Sequence, residues 1–318
     1  MPAFLRFVFL LPALLAVVAA FAWTPSRATA AATPVRVVVT HSLLEDFTRA
    51  VAGDHAVVTS LVPRGADPHH FEPRPADVRR LARAELIFVN GLGFDAWAER
   101  VIASAGATGR TRVLTEGIAP IACTTPGHDH HDHDHGEADP HAWQDPRLVI
   151  RYVENIRAAL AANTPELAEE FTARAAAYTA ELEKLHAWAT EEFARVPAER
   201  RVLVTSHDAL AYLGRAYGLR IAPIRGAGKS REPSARELAE LTAYIREQKA
   251  PAVFIETTTN PRLAELLARD AGVRVGEPLF TDSLGEPGGP ADTYLNLFRT
   301  NVRRIVAALA PETPAPRP

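Results

Sequence analysis

The sequence predicts an α/β protein: two lobes of parallel β-sheet flanked by helices and joined by one long rigid helix. Three observations carry this expectation. Short β-rich runs alternate with helical stretches along most of the chain, the pattern of parallel sheets covered by helices on both faces. Residues 164–196 break that rhythm, with neither glycine nor any proline after Pro165. The 318 residues are about two domains' worth of chain, enough to bury a core in each lobe.

In chain order, residues 1–30 carry Arg6, an apolar run over 7–23 and then Ala28-Thr29-Ala30, the layout of a cleaved secretory signal peptide. Pro12 interrupts that run, and its 17 residues are short for a membrane span. No Cys follows it until Cys123, so a lipid anchor of the bacterial lipoprotein kind is not expected. Export without disulfides points to a bacterial periplasm.

The first lobe is expected over 31–163, with strands at 35–40, 56–62 and 86–90 and a helix at 76–84. The linking helix is expected over 164–196. There Thr164 suits the N-cap, Pro165 the first helical position and Glu166 the positive end of the helix dipole. Leu167, Phe171, Ala175, Tyr178, Leu182, Leu185 and Ala189 form one apolar stripe, and Pro197 ends it. Such a helix is about 46 Å long. The second lobe is expected over 197–312, with strands at 201–205, 220–224, 252–256 and 273–275 and a helix at 235–247. A disordered tail at 313–318 completes the chain.

Composition narrows the function. With 35 Lys+Arg against 38 Asp+Glu there is no basic face for a nucleic acid. A single Cys excludes an intramolecular disulfide and every cysteine-built zinc or iron–sulfur cage. Histidine is the unusual component: five of the 12 fall between His128 and His135.

Three motifs promise more than they hold. Gly91-Leu92-Gly93-Phe94-Asp95-Ala96 matches a dinucleotide-binding turn, but a tight strand-to-helix turn wants glycine for its backbone angles alone. Gly228-Lys229-Ser230 ends like a phosphate loop, yet Pro223 stands where its first glycine belongs. Ser206-His207-Asp208 is no triad, because adjacent residues of a strand point to opposite faces.

The residues that carry chemistry are histidines. Asp67-Pro68-His69 follows the second strand, and Asp139-Pro140-His141 repeats the tripeptide in a later loop. Proline sets its own φ and extends the residue before it, while the carboxylate is placed to accept from nearby backbone or imidazole N–H. His207 comes at the C-terminal end of a strand, where open α/β sheets place ligands, and Asp282 follows the last strand similarly. Three imidazoles and one carboxylate suit Zn²⁺, with Mn²⁺ or Fe²⁺ as alternatives. Two of the four come from each lobe, so the expected site lies between them. His41 reads as a supporting or structural residue, and His55, His70 and His186 as bystanders. The His-rich loop 127–137, with His128, His130, His131, His133 and His135, reads as an accessory collector binding several ions weakly.

With these residues in view, the chain resembles the zinc/manganese cluster (A-I) of metal-binding solute-binding proteins of ABC transporters, most of all the periplasmic zinc-binding members. The resemblance runs through Leu61-Val62-Pro63-Arg64-Gly65-Ala66-Asp67-Pro68-His69, Phe88-Val89-Asn90-Gly91-Leu92-Gly93, Asp139-Pro140-His141-Ala142-Trp143, Thr205-Ser206-His207-Asp208-Ala209 and Thr281-Asp282-Ser283-Leu284. It implies two lobes joined by a long helix and a metal in the cleft between them, held by His69, His141, His207 and Asp282. It also implies delivery to a membrane permease driven by an ATPase. Histidine at the third ligand position resembles zinc members; a short His-rich loop and Asp282 fit manganese members too. A monomer is expected, with a periplasmic metallochaperone as a further candidate partner. Two other classes compete. A secreted zinc hydrolase needs an open coordination position, which Asp282 fills, and no H-E-x-x-H occurs. A periplasmic zinc buffer or adhesin differs only in lacking a permease.

Overall fold

The computed structural model describes residues 33–69, 71–122, 138–224, 234–258 and 261–310. Two four-stranded parallel sheets organise them. The first contains β1 (Val35–Val39), β2 (Ala56–Ser60), β3 (Leu86–Val89) and β4 (Thr111–Val113) in the order β2-β1-β3-β4. The second contains β5 (Val202–Thr205), β6 (Arg220–Pro223), β7 (Ala252–Phe254) and β8 (Arg274–Val275) in the order β6-β5-β7-β8. Each sheet therefore reverses its strand order beside its own first strand, where α/β sheets open a crevice at the strands' C-terminal ends. β4 was not expected. It is an edge strand of three residues, too short and polar to show a pattern, and it exists because β3 offers its ladder to Thr111, Arg112 and Val113.

Helices cover both faces of each sheet, and period-two alternation sorts the side chains. Val35, Val37 and Val39 of β1 and Leu86 and Phe88 of β3 face one way; Val38, Ile87 and Val89 face the other. The second set packs with α2 (Pro75–Arg83) and α3 (Ala96–Ser104). In the second sheet Val202, Val204 and Val253 pack with α7 (Ala235–Gln248) and α8 (Pro261–Ala271). The remaining faces of both sheets belong to one continuous core. Leu203 and Phe254 join the first sheet's inner residues there through α1 (Ser42–Ala52), α4 (Pro146–Asn163), α5 (Ala168–Ala194), α6 (Ala211–Tyr217) and α9 (Tyr294–Leu309).

The long helix is α5, 27 residues or about 40 Å. Its buried residues Phe171, Ala175, Leu182, Leu185, Ala189 and Phe193 follow the predicted stripe, packed against α1, α4 and α9. It starts later than expected. Thr164 closes α4 instead, its N–H donating to Leu160 O, and Pro165–Leu167 forms a separate 3₁₀ turn before the helix proper. Thr164 does hold the N-cap place, but of that short turn, and its side chain makes no capping hydrogen bond there. No helix among the described residues is long and apolar enough to cross a membrane.

Candidate metal centre

The two Asp-Pro-His tripeptides fold as their sequence suggests. Asp67 Oδ1 accepts from the His69 backbone N at 2.8 Å, and Asp139 Oδ1 from the His141 N at 2.9 Å, so each carboxylate closes a turn under its own histidine. The proline carbonyls are held as well: Trp97 Nε1 donates to Pro68 O at 2.9 Å, and Asn90 Nδ2 to Pro140 O at 3.1 Å. Asp139 goes further than Asp67, since its Oδ1 also lies 2.8 Å from His141 Nδ1. That contact fixes the ring and turns Nε2 towards Asp282. His207 follows β5 by two residues, and Asp282 lies between β8 and α9.

These four residues converge. One ligand atom from each of His69, His141, His207 and Asp282 lies within 4.8 Å of all the others. Asp282 is the hub: its Oδ2 is 3.5 Å from His69 Nε2 and 3.5 Å from His207 Nδ1, and its Oδ1 is 3.7 Å from His141 Nε2. Ligands 2 Å from a tetrahedral ion stand about 3.3 Å apart, so these separations match a small divalent cation. The side chains are buried, with His207 the most exposed at 13%.

The electrostatics favour a cation. Burial alone raises the Asp282 pKa, but the hydrogen bond from His69 and the three surrounding imidazoles overcome it and hold the carboxyl well below the usual range. Burial opposes the His141 cation, yet the Asp139 hydrogen bond and charge, with Asp282 behind them, push its pKa up. His41 lies behind the cluster with its pKa pulled down to about 3, chiefly by burial, so its ring stays neutral. Both His41 nitrogens are buried without a hydrogen-bond partner among the described residues. Its ring sits against Phe94 and Trp143 at centroid distances of 5.0 and 5.3 Å.

Sequence reasoning overlooked the walls of this site. Phe94 stacks edge-on to His69 at 4.6 Å and to His141 at 5.7 Å, so the glycine-rich turn that resembles a nucleotide motif instead delivers an apolar wall. That turn is capped by Asp95, which accepts from Thr40 Oγ1, Asn90 N and Gly91 N at 2.7, 2.6 and 3.0 Å. Gly91 has φ +87°, which accounts for the glycine without a nucleotide. Trp143 Nε1 and Gln144 Nε2 both donate to Thr281 O, at 2.8 and 3.1 Å, linking the His141 segment to the Asp282 segment. Glu256, at the end of β7, is 1% exposed and its Oε2 stands 3.9 Å from His207 Nδ1. Burial, then the charge of Asp282, raise its pKa well above the carboxylate range. Only the motif Asp-Pro-His-Ala-Trp hinted at any of these, through Trp143.

The discounted residues stay away from the cluster. His186 Nδ1 meets Tyr217 Oη at 3.0 Å, and His55 Nε2 meets Glu170 at 2.8 Å. Ser206 Oγ donates to Glu256 at 3.0 Å, so Ser206-His207-Asp208 is not a triad. His70, Gly228-Lys229-Ser230 and the accessory set His128, His130, His131, His133 and His135 lie outside the described residues.

Residues 37–308 match the family described as zinc-uptake complex component A, periplasmic (ZnuA). The chain belongs to this family. Its members are substrate-binding components of transporters, not enzymes. The manganese-binding lipoprotein MntA of Halalkalibacterium halodurans is 32% identical over 276 residues, 87% of this chain and 89% of that protein. The iron-binding protein YfeA of Yersinia pestis is 33% identical over 270 residues, 85% of each chain. Among solved structures, the periplasmic zinc-binding protein TroA of Treponema pallidum superposes with a TM-score of 0.77 and 32% identity, covering 87% of this chain and 100% of that one. TroA thus shares this two-lobed fold, and the three relatives are named for three different metals.

Proposed function

We propose that this protein is the periplasmic solute-binding component of an ABC transporter, capturing Zn²⁺ between its lobes and delivering it to a membrane permease driven by an ATPase. One observation carries the reading: three imidazoles and a carboxylate, largely shielded from solvent, converge at ligand-to-ligand spacing from loops of both lobes. His69, His141, His207 and Asp282 would hold the ion. Because Asp282 fills the fourth position, the set is closed, and a closed set binds and carries where a hydrolase keeps room for water. Imidazole-rich donors suit zinc, and the ZnuA family and TroA carry zinc in their names. Residues 1–30 act as the export signal. The loop 127–137, with its five histidines, gathers ions for the tight site, and a metallochaperone is a candidate donor to a monomeric carrier.

Manganese or iron is the second reading. Asp282 supplies a harder donor, and MntA and YfeA are named for those metals. Competitive titration of the metal-free mature protein with Zn²⁺ and Mn²⁺, in a variant lacking 127–137, decides between them. One tight zinc equivalent that manganese cannot displace is expected. Comparable manganese occupancy would overturn the zinc assignment, and no tight equivalent of either would overturn the ligand set.

A further inference from the structure

Glu256 is a buried carboxylate beside the cluster that the four-ligand reading leaves without a task. It leaves the end of β7, the strand next to β5, so it enters the cleft from the same edge as His207. Its Oε2 lies 3.9 Å from His207 Nδ1, the atom that lies 3.5 Å from Asp282 Oδ2. One imidazole nitrogen is thus flanked by two buried carboxylates. Glu256 is also tied to the His207 backbone. Ser206, the preceding residue, donates through Oγ to Oε2 at 3.0 Å and accepts at the same oxygen from the Glu256 N–H at 3.3 Å. The side chain is anchored at about one ligand spacing from the cluster, outside the tetrahedron but next to one of its edges.

Zinc is satisfied by four donors rich in nitrogen, whereas Mn²⁺ and Fe²⁺ prefer more donors and more oxygen. Resting on the metal-capture reading above, we propose that Glu256 is a fifth donor, recruited by ions of larger coordination number. It is then the residue that lets this cleft hold manganese or iron(II) as well as zinc. Zinc binding uses the four-residue set and leaves Glu256 on Ser206.

The test is the metal-free mature protein and its Glu256→Gln variant, each titrated with Mn²⁺ and with Zn²⁺ against a chelating indicator, with the Mn²⁺ spin-resonance spectrum recorded. The variant keeps the shape and loses the carboxyl group that an ion would bind with release of its proton. Its manganese dissociation constant is expected to rise at least about tenfold while that of zinc changes less than about threefold, and the manganese spectrum is expected to change. Equal losses for both metals would reduce Glu256 to a residue that orients His207, and would overturn the proposal. No change in either, or a wild type that takes zinc tightly and no manganese, would overturn it too while leaving the capture reading standing. A wild type that binds neither metal would sink the capture reading itself. Where Glu256→Gln fails to fold, Ser206→Ala serves, with a shift in the zinc-to-manganese ratio expected and an unchanged ratio counting against.

Discussion

The first sheet holds its cleft histidines from below and the second holds its cleft residues from across. His69 and His141 each stand on an Asp-Pro turn whose carboxylate accepts the histidine's own backbone N–H, an arrangement complete within three residues. Among the described residues Asp282 shows no such local turn, and His207 is steadied from its own strand end, where Thr205 Oγ1 donates to His207 O at 2.8 Å. The Asp282 segment is positioned by the other half of the molecule: Trp143 and Gln144 reach Thr281 O, and Ser42 Oγ and the Gly65 N–H meet Ser283 Oγ at 3.2 and 2.8 Å. Arg64 extends the contact with 3.1 and 2.7 Å bonds to Gly285 O and Asp292 O. Two sheets of identical strand order thus reach one site by different means: the first presets both histidines locally, while the second has its carboxylate segment set by docking. Side chains preset by a local turn would lower the ordering cost of binding an ion, while docked ones would make a site depend on the alignment of the lobes.

The sharpest test removes one of the two preset histidines. His69→Ala or His141→Ala is expected to weaken tight metal binding by more than about a hundredfold, beyond what loss of a supporting residue costs, as read by chelator competition. Next comes the difference between the two turns. Asp139 touches both the backbone and the ring of its histidine, so Asp139→Asn is expected to cost about 10–100-fold in affinity. Asp67 closes its turn through the backbone, so Asp67→Asn should cost less; equal effects would break the contrast drawn here.

The joint between the lobes offers a third. Asp46 on α1 accepts from the Tyr294 N–H at 2.9 Å, at the start of α9, and from Tyr178 Oη at 3.5 Å on α5. Burial raises its pKa from 3.8 to about 6, so the fold favours the protonated carboxyl. That contribution is complete below pH 3.8 and is lost as pH rises through about 6. Wild type should therefore lose about 1–2 kcal/mol relative to Asp46→Asn across that window, measured by urea unfolding of the metal-free protein. A constant difference would deny the joint any titration. The smallest effect is expected in shape. Because one core runs through both sheets and α5, metal-free and metal-bound protein should give the same radius of gyration in solution scattering. A large change would mean that the docked lobe moves as a body.

Parts of the site were legible because they are local. A repeated Asp-Pro-His tripeptide is a backbone device that can be read in three letters, and strand-end positions follow from β-rich runs. His41 was read from its place after the first strand as a supporting or structural residue, and it lies behind the cluster. Glu256 was not legible. Nothing in Ile255-Glu256-Thr257 distinguishes a cleft carboxylate from an exposed one, and its burial depends on what arrives from elsewhere. The start of α5 was placed early: Thr164 caps the short turn Pro165–Leu167, and the α-helix begins only at Ala168.

By itself, then, the sequence determined the alternation of strands and helices, the long apolar stripe of α5 and the identity of the four converging residues, because periodicity, proline and paired carboxylates act over a few residues. Only the tertiary structure decided that the two sheets share one core, that Asp282 lies among three imidazoles and that Phe94, Trp143 and Glu256 wall the cleft. The contacts that align these parts join residues far apart in the chain, such as Ser42 and Ser283 at a separation of 241 and Asp46 and Tyr294 at 248. Contacts of that range follow from packing the whole chain, and no local propensity encodes them.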